Sequence, residues 1–328
     1  MQQTVPHPAL FPAALVPEME ALMLEVAAED GPPVDTTLLP VGEGRALTER
    51  LARRGNRGMP DMADVRNVTL DADAALGSAA FTVKVVSPHQ ARSGAILFAH
   101  GGGFVFCSAQ THERQARVLA VESGMSVVIP DYRLAPEHPF PAGLLDVVAA
   151  LRAMHAAPAT FGVAPGPLLV AGDSAGANLA LCALLHEQSA QRPGAAGALL
   201  FYGVYDADFT TPSYTQFSEG PGLTHGRMQR FWDHYAPDLP QRRDPLASPM
   251  RAADAALRAL PPLHLMAAGI DPLLSDSVNF AARLKALGRA ETLTIVPGVV
   301  HGFLQMARQL GAARAALAAA GAAARAMS

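Results

Sequence analysis

Cysteine is scarce: the 328-residue chain holds two, Cys107 and Cys182. Their count and spacing exclude a disulfide framework and a cysteine-based metal site. They read as free thiols, which suits a reducing compartment and leads us to expect a cytoplasmic protein. An excess of basic charge is also missing. The net charge is −4 and no basic stripe is present, so nucleic acid is excluded as a partner. No uninterrupted apolar run reaches the roughly 18 residues of a membrane span, so none is expected. Met1-Gln2-Gln3-Thr4-Val5-Pro6-His7 shows no basic stretch leading into an apolar one, the mark of a secretory leader. No internal repeat is seen. The Ala-rich C-terminal tail is low in complexity but helix-prone.

What remains is a chain that is 50% apolar, enough for one large α/β domain with an added lid. Its organising stretch is Ala171-Gly172-Asp173-Ser174-Ala175-Gly176-Ala177-Asn178. An apolar run, residues 167–171, precedes it and reads as a buried strand. A helix-prone run, residues 179–186, follows. Gly172-x-Ser174-x-Gly176 therefore sits at a strand-to-helix turn, the setting of a nucleophile elbow. Glycines two before and two after the serine remove side chains that would clash where strand and helix approach. The serine hydroxyl is held up, and the N–H of Ala175 is free to donate to an oxyanion.

Taken in order, the first residues look separate from the core. Pro17 opens a helix to about Ala28, with Met19, Leu22, Met23 and Val26 on one face. A second helix covers residues 45–54. Residues 64–70 and 81–86 read as a hairpin-like pair of strands. From residue 94 onward strands and helices alternate, which implies a parallel sheet covered on both faces. Ligands of such sheets bind beyond the carboxyl ends of the strands. His100, Ser174, Asp271 and His301 all fall just past such an end. One strand, residues 94–99, runs into His100-Gly101-Gly102-Gly103-Phe104. Consecutive glycines let the backbone turn its N–H groups toward one point. The amides of Gly102 and Gly103 would thus join that of Ala175 around a carbonyl oxygen as it gains charge. His100 reads as a structural residue of this loop.

These motifs, with Asp131-Tyr132-Arg133-Leu134-Ala135-Pro136-Glu137, Asp271-Pro272-Leu273 and His301-Gly302-Phe303, resemble the hormone-sensitive-lipase-like family of α/β-hydrolase esterases. They occur in the family's order from about Phe81 onward. The resemblance implies an α/β-hydrolase fold: a mostly parallel eight-stranded sheet, helices on both faces and a helical cap. It divides the chain into a cap segment (1–56), a first part of the core (57–203), a cap insertion (204–251) and a second part of the core (252–328). It implies a serine carboxylesterase acting on a small-molecule ester. Relatives that associate through a sheet edge suggest a homodimer. Cys107 departs from the glycine of many relatives, which should narrow the pocket and expose a thiol to oxidation.

The remaining functional residues follow from position. In this architecture the chain order is Ser, acid, His. His186 lies along the helix that leaves the elbow. His225 and His234 fall in the insertion, and His264 sits inside an apolar strand as a satisfied core residue. His301 alone follows a strand, residues 293–296, by a short loop, residues 297–300. Asp271 comes straight after a strand, residues 263–267, in a Gly269-Ile270-Asp271-Pro272 turn. Asp276 reads as a surface or capping residue and Asp206 as a weaker competitor. Asp173 reads as a structural partner. Asp131, Arg133 and Glu137 read as a charged cluster that pins a loop. The insertion carries an aromatic stripe: Thr224 caps a helix with Met228, Phe231, Trp232 and Tyr235 on one face. The candidate pocket residues are Phe104, Met23, Phe217 and Trp232. The chemistry is acyl transfer through Ser174, His301 and Asp271, with no metal or organic cofactor. An amidase or lactonase would share this machinery. A non-catalytic small-molecule receptor is the remaining alternative, and relatives of that kind have lost the histidine that His301 supplies here.

Overall fold

Alternating side chains on four short apolar strands decide the architecture. Ile96 and Phe98 point to one side of the sheet and Leu97 to the other, and the neighbouring strands repeat the pattern. Strands with both faces apolar must be covered on both sides. The computed structural model describes residues 14–328 and shows this cover. The first 13 residues of the expected cap segment lie outside the described residues.

The chain enters through helices α1 (Pro17–Asp30) and α2 (Val41–Gly55). Strands β1 (Asp64–Leu70) and β2 (Phe81–Ser87) follow, then β3 (Ala95–Ala99), α3 (Glu113–Ser123), β4 (Ser126–Pro130), α4 (Ala142–Ala156), β5 (Leu168–Asp173), α5 (Ala175–Ser189) and β6 (Gly197–Phe201). An excursion carries α6 (Pro212–Gln216), α7 (His225–Tyr235) and α8 (Asp254–Arg258). The chain closes with β7 (Leu263–Ile270), α9 (Leu274–Ala286), β8 (Leu293–Val300) and α10 (Gly311–Met327). The sheet order is β1-β2-β4-β3-β5-β6-β7-β8. β1 and β2 pair antiparallel, as do β2 and β4; the other pairs are parallel.

One core layer joins Leu97, Val128, Val170 and Leu200 to α4, α5, α7 and α9. The other joins Phe98, Ile129, Ala171 and Phe201 to α3, α10 and the buried Met19 and Leu22 of α1. Full burial of a side chain such as Phe98 stabilises the fold by about 2–3 kcal/mol.

Two strand ends need adjustment: β7 does not stop at Ala267 but continues through Gly269 to Ile270, so that Asp271 leaves the strand directly. β8 does not stop at Val296; it runs through Pro297 and Gly298 to Val300. A proline is tolerated because β8 is an edge strand and needs no amide on its outer side. A register irregularity between Ala268 and Ile270 absorbs the change of direction. His301 therefore leaves the strand directly, without an intervening loop. Thr224 does cap α7, accepting the Arg227 N–H at 3.2 Å.

Candidate active site

The elbow is built from β5 and α5. Ser174, between them, has φ +55° and ψ −120°, a conformation few side chains adopt. Its own backbone secures it: the N–H donates to the Phe201 carbonyl at 2.9 Å, and its carbonyl accepts from Ala177 at 3.1 Å. The flanking glycines are required by contact. A Cβ on Gly172 would strike the Gly176 backbone, and one on Gly176 would strike the Ala99 carbonyl.

Three strand ends then converge. Ser174 Oγ lies 2.9 Å from His301 Nε2, and His301 Nδ1 lies 2.7 Å from Asp271 Oδ2. Asp271 is wholly buried, and its second oxygen accepts the Leu273 N–H at 2.8 Å. The carboxylate is thereby fixed to face the imidazole. Tyr202 packs edge-on against the His301 ring at 4.9 Å. Gly102, with φ +118°, and Gly103, with φ +60°, turn the chain beside the elbow. Among the described residues, no hydrogen bond engages the N–H groups of Gly102, Gly103 or Ala175. A serine in contact with an imidazole, beside three uncommitted amides, can attack a carbonyl and hold the resulting oxyanion.

Beneath this lies a polar layer. Asp173 accepts the Gly101 N–H at 2.9 Å and lies 3.3 Å from His112 Nε2 and 3.4 Å from the Tyr202 hydroxyl. Burial pushes its carboxyl up, but His112, the Gly101 amide and His301 outweigh this and hold it below the usual range. His100 stacks on Tyr132 at 4.3 Å, and its carbonyl accepts the Tyr132 hydroxyl at 2.7 Å. Burial first, and then nearby His112, push its imidazole down to about 3, so it cannot serve as a base near neutral pH. His112, Tyr202 and Arg45 were not foreseen as parts of this region. None lies in a motif or repeats at a helical or strand spacing.

Several expectations are corrected. Asp276 is not a surface residue; it is buried, and its Oδ2 accepts the N–H groups of Tyr205 and Asp206 at 2.8 and 3.2 Å. Burial drives its carboxyl up to about 8. Asp206 instead pairs with Arg251 at 2.8 Å. Asp131, Arg133 and Glu137 do not cluster. Asp131 accepts the Ala109 N–H at 2.7 Å, Arg133 grips the buried Asp146 at 2.8 Å, and Glu137 pairs with Arg45 at 2.7 Å. His264 is not satisfied, since its buried Nε2 has no partner among the described residues. Cys107 is half-buried, with φ +72°, a value that explains why glycine suits the position. Burial pushes its thiol up to about 12, so the thiolate needed for oxidation is scarce.

The candidate pocket residues separate. Phe104 and Trp232 meet edge-on at 6.1 Å, and Trp232 is wholly buried behind Phe104. Phe217 joins the other core layer, and Met23 packs half-buried against that same layer.

The family described as alpha/beta hydrolase fold matches residues 96–305. A carboxylesterase of Mycobacterium tuberculosis, NlhH, is 36% identical over 219 residues, covering 66% of this chain and 69% of that protein. The esterase LipI of the same organism is 31% identical over 304 residues, covering 88% and 94%. Among solved structures, an ester hydrolase from the Lake Arreo metagenome, held with a bipyridine phosphonate derivative, superposes with a TM-score of 0.87. It shares 32% identity over 95% of this chain and 98% of that one. With this architecture and these relatives, the chain belongs to the α/β-hydrolase fold family.

Proposed function

We infer that this chain is a carboxylic ester hydrolase in which Ser174 is the nucleophile, His301 the base and Asp271 the acid that orients it. The observation that carries the assignment is the hydrogen-bonded chain from Ser174 Oγ through both imidazole nitrogens to Asp271. His301 takes the serine proton as Oγ attacks the ester carbonyl. The amides of Gly102, Gly103 and Ala175 receive the oxyanion. Asp271 stabilises the imidazolium and fixes which nitrogen faces the serine. The alcohol leaves with the proton from His301. Water, activated by the same imidazole, then releases the acid from Ser174.

A small, uncharged acyl or aryl ester is the proposed substrate, in keeping with the apolar rings Phe104, Phe231 and Trp232 packed beside the glycine loop. Two unpaired thiols support a cytoplasmic setting. The test compares p-nitrophenyl esters of rising acyl length with a lactone and an anilide, alongside fluorophosphonate labelling. We expect labelling of Ser174 and the fastest turnover on short esters. An activity that climbs toward long-chain triglycerides would overturn the substrate class. Folded protein that takes up no label would overturn the assignment of Ser174.

A further inference from the structure

The loop carrying Gly102 and Gly103 is braced from both parts of the cap. From α2, Arg45 donates through Nε to the Val105 carbonyl and through Nη2 to the Ala135 carbonyl, each at 2.8 Å. From the excursion, α7 lies along the same loop. The Phe231 ring covers Gly103 so closely that a Cβ there would fall among the ring atoms. Phe231 also meets Phe106 edge-on at 5.8 Å, and Tyr235 stacks on Phe104 at 3.7 Å. All four rings are buried. α7 is itself latched to the N-terminal segment. Arg230 donates through Nε to the Thr37 hydroxyl at 2.6 Å and pairs with Asp35, which Arg227 approaches at 3.4 Å.

A run of glycines has no side chains with which to fix its own position. What packs on it decides where its amides point, and an oxyanion site works only when its donors are aligned beforehand. We propose that Phe231 is a positioning residue for the oxyanion loop: its ring, seated by the Arg230–Asp35 latch, aligns the Gly103 amide, so that the seating of α7 governs transition-state stabilisation more than substrate binding. This rests on the reading of Ser174 and the glycine amides given above.

Two ketones of the same short chain separate these effects. Ser174 adds to a trifluoromethyl ketone: an Oγ–C bond forms, the carbonyl π pair moves to oxygen, and the serine proton passes to His301. The adduct oxygen then occupies the oxyanion site. The plain methyl ketone fills the same pocket without addition. Phe231→Leu keeps the apolar character but removes the planar ring. We expect it to weaken the trifluoromethyl ketone by about tenfold or more and the methyl ketone by less than about threefold, with kcat falling and KM held. Arg230→Gln touches no residue of the loop and should give the same pattern at smaller size. Equal losses for both ketones, or no loss for either, would overturn the proposal. If Phe231→Leu does not fold, Arg230→Gln carries the comparison, and an unchanged ratio of the two affinities overturns it. A parent protein that neither hydrolyses short esters nor binds the trifluoromethyl ketone would instead sink the reading of the site.

Discussion

Asp271 and Asp276 stand on one loop and helix yet meet different partners. Asp271 faces His301 and accepts the Leu273 N–H. Asp276 is buried, which drives its carboxyl up to about 8. The sequence order pointed to the first but misread the second. Asp276 looks exposed one turn into a helix, but the segment after β6 lies over it and donates the Tyr205 and Asp206 N–H groups. The triad assignment predicts that Ser174→Ala and His301→Ala each lower kcat by roughly four to six orders of magnitude, with the double variant little worse, in steady-state assays. Asp271→Asn should cost about four orders, since it favours the wrong imidazole tautomer. Asp276→Asn should stay within about tenfold of the parent in turnover. Its stability should differ in a pH-dependent way. A carboxyl raised from 3.8 in the unfolded chain to about 8 contributes stability that is full below pH 3.8 and lost as pH rises through 8. Asparagine keeps an oxygen for the Tyr205 N–H and never ionises. The melting temperature of Asp276→Asn relative to the parent should therefore climb by about 5–10 °C from pH 4 to pH 8 and then level off. A difference independent of pH would refute the buried acid.

Elements were more legible than their contacts. Apolar runs and the turns between them place every strand of the sheet. The exceptions are the end of β7, where Gly269-Ile270 reads as a turn but stays in the strand, and the end of β8, where Pro297-Gly298 has the composition of a turn and the geometry of an edge strand. The segment from Asp131 to Glu137 shows the limit. Its charges announce a pinned loop, but their partners lie on three other elements that no local pattern names. The strongest of these ties is to Asp146 of α4. Its fully buried carboxylate accepts from the Arg133 backbone, from the Arg133 guanidinium and from the Ala79 N–H. Asp146→Ala would leave the Arg133 Nε and two amides without that acceptor, while the Arg133 Nη2 keeps the Gly77 and Ala142 carbonyls. We expect a loss of about 3–5 kcal/mol by urea unfolding, far above that of an exposed pair such as Arg45–Glu137.

At the scale of the molecule, the rim that gathers Ser174, Asp271 and His301 was legible because glycine motifs and strand ends mark it locally. The ties of the N-terminal segment and the excursion were not, because they join distant parts of the chain: Arg230 to Asp35, Arg45 to Val105 and Ala135. Deleting residues 1–56 removes Asp35, Thr37 and Arg45 together. The sheet should persist by far-UV circular dichroism while turnover of a short ester falls by about a hundredfold or more. Full turnover in the truncated chain would show that the core alone holds its oxyanion loop. The path of β8 has a different consequence. Exposed strand edges are templates on which other chains add and aggregates grow. Here Pro297 offers no amide, and the Gly298 carbonyl is already taken by the Val16 N–H at 3.0 Å. On this edge, among the described residues, an incoming strand, including one from a second copy of the chain, finds a regular ladder only along residues 293–296. The segment that carries His301 to the active site thereby also blunts the border of the sheet against open-ended growth.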